Sequence, residues 1–239
     1  MTRRPPGLRQ FTVTILLAST LWLTGCASQP GPTTPSADAD PVDAYTRLGM
    51  AYLERVNLPR ALSALDRALE IAPEDAEALQ AMAIVYQRQG EAALADDTFR
   101  RALEAAPDLT RARNNYAAFL YDQGRIREAC HQLEQAAADT QYANRAQLFT
   151  NLGQCQRRLG DLTAARESLM RAQSIDPRQP GSYLRLAQLD YEQGHYARAE
   201  RQLETFMRLA GPTPAARRLA RDLDQARGDR VAASPDDAP

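Results

Sequence analysis

YTRLGMAYLERVNLPRALSALDRALEIAP, residues 45–73, carries two apolar series at helical spacing. Tyr45, Leu48, Gly49 and Tyr52 share one face of a first helix, and Ala61, Leu65, Ala68 and Leu69 share one face of a second. Pro73 closes the segment, because proline has no N–H to give and crowds the preceding turn. The same register returns along the chain. Ala61, Ala95, Ala129, Ala165 and Ala199 follow one another at steps of 34, 34, 36 and 34 residues. Twelve residues before each stands a small residue: Gly49, Ala83, Ala117, Gly153 or Ala187. An apolar residue precedes each of those (Leu48, Met82, Tyr116, Leu152, Leu186), and Leu65, Phe99, Leu133, Leu169 and Leu203 come four residues after the alanines. Pro107 and Pro177 close two further units, and Gly90, Gly124, Gly160 and Gly194 stand in breaks that suit a left-handed helix cap.

Each unit therefore predicts a helical hairpin, and the spacing resembles the tetratricopeptide pattern of about 34 residues. One hairpin cannot bury its apolar face, so the units must stack into one continuous core. The expected fold is all-α, a tetratricopeptide-repeat superhelix of five helical hairpins plus a C-terminal capping helix, over residues 42–230. The hairpins are placed near 42–75, 76–109, 110–145, 146–179 and 180–213, with the cap at 214–228 and a disordered tail at 231–239. In the third unit Gln141 replaces the closing proline and two extra residues lengthen the link through Tyr142 and Asn144, so an irregularity is expected there. The cap reaches Gly228-Asp229, leaving too few residues for a mate, and Pro235 and Pro239 disfavour one.

The first 40 residues follow another logic. Arg3, Arg4 and Arg9 precede the apolar run FTVTILLASTLWL, residues 11–23, which is shorter than the roughly 20 residues a spanning helix needs. This is the pattern of a signal peptide, residues 1–25. Its end, Leu23-Thr24-Gly25-Cys26, resembles a bacterial lipobox, which implies cleavage before Cys26 and acylation of its sulfur. The acyl chains would anchor the protein, each buried methylene contributing about 0.8 kcal/mol. No other cofactor is expected. By resemblance to sorted lipoproteins, Ala27 and Ser28, with no Asp after the Cys, favour the outer membrane with the domain facing the periplasm. Residues 26–41 hold four prolines and no apolar period, and should form an extended tether of about 3 Å per residue.

Composition excludes several functions. All 29 basic residues are arginine and are balanced by 30 acids, so no basic surplus exists for nucleic acid. Only His131 and His195 are available as imidazole bases, and no nucleophile motif accompanies either, so an enzyme with a small-molecule substrate is not expected. Cys130-His131 and Cys155 lack the short pair spacing of zinc ligands, so no metal is expected. Cys130 and Cys155 fall on neighbouring helices of an exported chain, where they form either a disulfide or two small buried apolar groups. Binding remains as the function. The first helix of each hairpin should line the concave side, presenting Met50, Leu53, Ile84, Gln87, Asn115, Tyr121, Asn151, Gln154, Leu184 and Tyr191 as a candidate groove for a protein partner. Asn115 and Asn151 hold equivalent positions and resemble the asparagines with which such grooves hold a peptide backbone.

Arg113-Asn114-Asn115-Tyr116-Ala117-Ala118-Phe119-Leu120 resembles the N-N-Y-G-x-F-L signature of the type IV pilus biogenesis lipoproteins, the PilF/PilW family. AQLFTNLGQC, residues 146–155, is similar to that family's fourth repeat, and SYLRLAQLDYEQGHYARAERQLETF, residues 182–206, to its fifth. The resemblance implies an outer-membrane pilotin that binds the pilus secretin and promotes its localisation or multimerisation. It also implies a disulfide from the Cys of the fourth repeat to a position held here by Tyr121, which leaves Cys130 as a substitute partner or the bridge absent. A repeat lipoprotein of another envelope system, such as the tight-adherence pilus, would share the anchor and the groove.

Overall fold

The computed structural model describes residues 40–233. The expected signal peptide with Leu23, Thr24 and Gly25, then Cys26, and the expected tether through residue 39 lie outside the described residues, as does 234–239. The described chain is a row of antiparallel hairpins: α1 Pro41–Glu54 with α2 Leu58–Ile71, α3 Ala76–Gln89 with α4 Ala92–Ala105, and α5 Thr110–Asp122 with α6 Ile126–Ala136. After these come α7 Arg145–Leu159 with α8 Leu162–Ile175, α9 Pro180–Glu192 with α10 Tyr196–Ala210, and the single α11 Pro214–Ala233. The helices start where polar side chains accept orphan amides. Asp75 Oδ1 takes the Ala78 N–H at 2.8 Å and Asp161 Oδ1 the Ala164 N–H at 2.9 Å.

The five spaced alanines, Ala61, Ala95, Ala129, Ala165 and Ala199, have no exposed surface. The small residues twelve positions earlier sit where the two helices of a hairpin nearly touch. A Cβ on Gly153 would come within 2.6 Å of Leu169 Cγ and 2.9 Å of the Ala165 carbonyl oxygen, and one on Gly49 within 2.5 Å of Leu65 Cγ. The apolar residues beside them, Met82, Tyr116, Leu152 and Leu186, are buried, but Leu48 is 43% exposed. Leu48 lies on the first helix of the row, which has packed helices on one side only among the described residues. The largest core cluster joins the second, third and fourth hairpins around Phe99, Tyr116 and Phe119, whose rings are 5.4 to 6.2 Å apart.

Consecutive first helices pack against one another (α1 with α3, α3 with α5, α5 with α7, α7 with α9, α9 with α11), whereas among the described residues no two second helices come as close backbone to backbone, although Gln173 of α8 donates to Gln202 of α10 at 2.9 Å. The row therefore curves with α1, α3, α5, α7, α9 and α11 on the inner side.

Two details depart from the sequence reading. The cap does not end at Gly228: α11 runs through Gly228-Asp229 to Ala233, so residues 231–233 are helical and not tail. Gly228 keeps a negative φ, and glycine inside a helix costs only about 1 kcal/mol against alanine, too little to break it unaided. The second departure is at Val56. Gly90 caps α3 at φ 85°, with its N–H on the Gln87 carbonyl and the Glu91 N–H on that of Tyr86. The first hairpin makes the matching bonds, Val56 N–H to Leu53 and Asn57 N–H to Tyr52, but with a β-branched residue at φ 56°. That backbone region is strained for valine. Val56 is 72% exposed and packs little, so Val56→Gly is expected to stabilise the domain by about 1 kcal/mol, measured as a higher urea midpoint at unchanged slope.

The expected irregularity of the third unit is present. Helix α6 has 11 residues, and the link to α7 is held by Asp139, whose carboxylate accepts from Thr110 Oγ1 at 2.7 Å and from the Gln141 N–H at 2.8 Å. Cys130 on α6 and Cys155 on α7 are bonded through their sulfurs, with Cα atoms 5.6 Å apart. The bridge ties the third hairpin to the fourth, and both residues are buried. Closing a segment of 25 residues is worth about 3 kcal/mol in the loop-entropy picture. Adding reductant, or the Cys130→Ala/Cys155→Ala double change, is expected to lower the unfolding free energy by about that amount.

Asp96 joins the second and third hairpins from α4. Its carboxylate accepts from Tyr116 Oη at 2.8 Å, Arg125 Nη1 at 2.6 Å and Arg100 Nη2 at 2.8 Å. Burial pushes its acidity down, but the bonds from Tyr116 and Arg125 outweigh this and hold the carboxyl below its ordinary 3.8. Burial, then the bond to Asp96, pushes the Tyr116 phenol up to about 12. The signs are opposite. Asp96 stabilises the fold above its unfolded value, and that contribution disappears as pH falls through the depressed native one. Tyr116 stabilises below pH 10, its ordinary value, and that contribution is lost between 10 and about 12. Thermal melts across pH should show both limbs, with Asp96→Asn flattening the acid one.

Candidate binding groove

The inner helices leave three hollows in a row. The first lies between α1, α3 and α5 and is lined by Met50, Leu53, Ile84, Arg88, Arg111 and Asn115, among others. The second lies between α5 and α7 and is lined by Ala117, Ala118, Tyr121, Asp122, Asn151 and Gln154, with Leu133 of α6 at its floor. The third lies between α7, α9 and α11, with Arg157, Gln188, Tyr191, Glu192 and Arg218 on its walls. All three open on the side formed by first helices, so together they make one interrupted groove.

The side chains between hollows bond from one first helix to the next. Arg88 Nη1 donates to the Leu53 carbonyl at 2.6 Å, holding α3 to α1. Arg111 Nε donates to Gln80 Oε1 at 3.0 Å and its Nη2 pairs with Glu77 at 3.0 Å, holding α5 to α3. Asn151 Nδ2 donates to Asn114 Oδ1 at 3.1 Å, holding α7 to α5, and Arg157 pairs with Glu192 of α9. Each partner lies roughly one repeat away in sequence. These bonds fix the spacing of the inner helices and hence the width of the groove.

The sequence-based groove residues separate into three kinds. Met50, Ile84, Asn115, Tyr121, Gln154 and Tyr191 line hollows and keep part of their surface open. Leu53 lines the first hollow but is only 5% exposed, a floor residue that belongs to the core of the first two hairpins. Leu184 is not on the wall of any of these hollows: it packs against the core cluster of the last hairpin and α11. Asn115 and Asn151 hold equivalent places yet differ in employment, since Asn151 is already bonded to Asn114 and to Gln147. Gln87 lines none of the three hollows.

Tyr121, at the place where the resemblance puts a cysteine, lines the second hollow, and Cys155 reaches Cys130 instead. Sequence reasoning missed Arg157 and Arg185, although Arg185 is one 34-residue step beyond Asn151 and was open to the same counting.

Among the described residues no group of three or more His, Cys, Asp or Glu side chains is placed to hold a metal ion. His131 lies beside Gln135 at 3.0 Å, and His195 lies 3.9 Å from Asp190. No described helix is long and apolar enough to cross a membrane.

Residues 110–234 match the model of a tetratricopeptide repeat-like domain, and residues 36–76 and 76–109 each match a tetratricopeptide repeat. Over 199 residues the chain is 35% identical to the type IV pilus assembly protein PilF of Pseudomonas aeruginosa, covering 79% of this chain and 76% of that one. The solved structure of Pseudomonas aeruginosa PilF superposes with a TM-score of 0.74 at 34% identity, covering 81% of this chain and 87% of the other. PilW, described as a widely conserved type IV pilus biogenesis factor, has the same fold, with a TM-score of 0.75 at 24% identity over 82% and 90% of the two chains.

Proposed function

Because the chain belongs to the PilF family of type IV pilus assembly proteins, built on tetratricopeptide repeats, we propose that it is an outer-membrane-anchored assembly factor whose inner groove binds the pilus secretin. The observation that carries this reading is the match to PilF, 35% identical over 79% of this chain. Signal cleavage before Cys26 and acylation of its sulfur would fix the domain to the membrane on its tether, facing the periplasm. Anchoring confines the groove to a thin layer and raises its effective concentration towards a client bound for the same membrane. The work is binding and positioning, with no bond made or broken.

The groove suits an extended client segment. Its walls alternate apolar surface, from Met50, Ile84 and Tyr121, with amide groups from Asn115, Gln154 and Gln188 that can meet a peptide backbone. The test is a pull-down from detergent-solubilised envelopes with the lipidated protein as bait. Secretin is expected to be retained by the wild type and lost on combining Asn115→Ala, Tyr121→Ala and Asn151→Ala. Deleting the protein should reduce secretin multimers in the outer membrane. Unchanged multimers in the deletion strain would refute the reading. Other envelope proteins retained without secretin would reduce it to a lipid-anchored scaffold.

A further inference from the structure

Arg185 stands on α9 in the row of Asn115 and Asn151, at steps of 36 and 34 residues. It is half-buried, and its hydrogen bond runs to the amide oxygen of Gln188, one turn along, at 3.4 Å. No carboxylate pairs with it among the described residues, although Asp122, Glu192 and Asp222 line the adjoining hollows. The other half-buried arginines of the groove are answered: Arg111 by Glu77 at 3.0 Å and Arg157 by Glu192.

The surroundings of Arg185 favour an incoming anion. Burial first, and then the positive charge of Arg157, weaken its hold on its proton, with the Tyr121 side chain opposing them. A guanidinium nevertheless stays charged at every physiological pH. The result is a cation partly withdrawn from water and left without a counter-charge. Arg185 is in the wall of none of the three hollows itself, but its partner Gln188 lines the third, and Asn151, one repeat earlier in the same row, lines the second. Such a charge costs stability until something neutralises it. A carboxylate matches it best, because the planar fork of arginine takes both oxygens through two parallel N–H···O bonds.

We propose that Arg185, together with the neighbouring Gln188, is a subsite for the aspartate or glutamate side chain of an extended client segment lying in the groove. The first two hollows lie towards α1 and the third runs from α7 across α9 to α11, so a segment following the groove passes the row that holds Arg185 and can present a side chain to it. The subsite rests on the groove reading above and names the chemistry of its occupant.

The experiment displays a library of random dodecapeptides to the full-length protein, solubilised in detergent. Peptides lost when Ile84→Asp and Asn115→Ala are introduced in the first hollow are those held by the groove. These are expected to share an acidic residue at one position. Exchanging it for its amide should weaken binding to the wild type by about 10- to 100-fold, the usual worth of a charged hydrogen-bonded pair. Arg185→Gln should remove that difference, so that acidic and amide peptides bind alike. The peptide exchange leaves the protein unaltered, so it decides the matter even where Arg185→Gln impairs folding.

Groove-held peptides without an acidic position, or an acid-to-amide loss that persists in Arg185→Gln, overturn the subsite and leave the groove standing. Dependence on a free C-terminus, shown by loss on terminal amidation alone, overturns it in favour of a terminal carboxylate. If no captured peptide is sensitive to the first-hollow changes, the groove reading itself fails.

Discussion

Phe99→Ala is expected to destabilise the domain by about 3–5 kcal/mol, the usual cost of emptying the site of a buried phenylalanine. Phe99 has no exposed surface and is in ring contact with Tyr116 at 5.4 Å and Phe119 at 5.8 Å, in the cluster that joins the second, third and fourth hairpins. The loss falls on an interface between repeats, and in a stacked array each repeat is held only by its neighbours. The unfolding curve should therefore shift and also lose cooperativity, the two halves of the row melting apart. Urea unfolding followed by circular dichroism and by hydrogen exchange in the two halves checks both parts. A shift below about 1 kcal/mol would mean that the cavity collapses and that the interface is looser than its packing implies.

Asp190→Ala should rank next, at about 2–4 kcal/mol, somewhat below the cost of breaking a fully buried ion pair because the arginines keep some water. The Asp190 side chain is 2% exposed, and Oδ1 lies 2.7 Å from Arg166 Nη2 and 3.3 Å from Arg198 Nε. Those partners come from α8 and α10, so one carboxylate on α9 holds three helices of two hairpins. Arg166 also donates to Gln193 Oε1 at 2.6 Å, which softens but does not replace the loss. Asp190→Asn, which keeps an acceptor, should recover part of the deficit. Thermal melts of the two variants make the comparison, and equal melts would remove charge from the explanation.

The period of the fold was legible because it is written in residue size. Ala61 and its equivalents are fully buried in their hairpins, and Gly153 admits no side chain beside the Ala165 carbonyl. What crosses between repeats was not legible. Asp190 reads as a surface residue of an amphipathic helix until the superhelix brings Arg166 and Arg198 around it. Leu184 and Leu53 were assigned to the groove from an ideal helical wheel, but the angle between successive hairpins turns Leu184 into the last core cluster and sinks Leu53 to the floor. Gly228 carried a stop signal that the rest of α11 overrides. The hollows themselves were partly legible, since Asn115, Tyr121 and Asn151 line them. Arg185, which stands in their row but lines none of the hollows, was hidden because a lone arginine normally means solvent, and only its missing counter-ion distinguishes it here.

The contrast between closely packed first helices and second helices that stand farther apart, with the Gln173–Gln202 bond between α8 and α10, makes the domain asymmetric as a mechanical object. Its neutral surface runs along the inner seam, where Arg88, Arg111, Asn151 and Arg157 tie one repeat to the next. Flexing then opens or closes gaps on the outer side while the distances between groove positions stay nearly constant. Such a body behaves as a ruler with a more compliant back: curvature can change while the spacing of the hollows along the inner seam is kept.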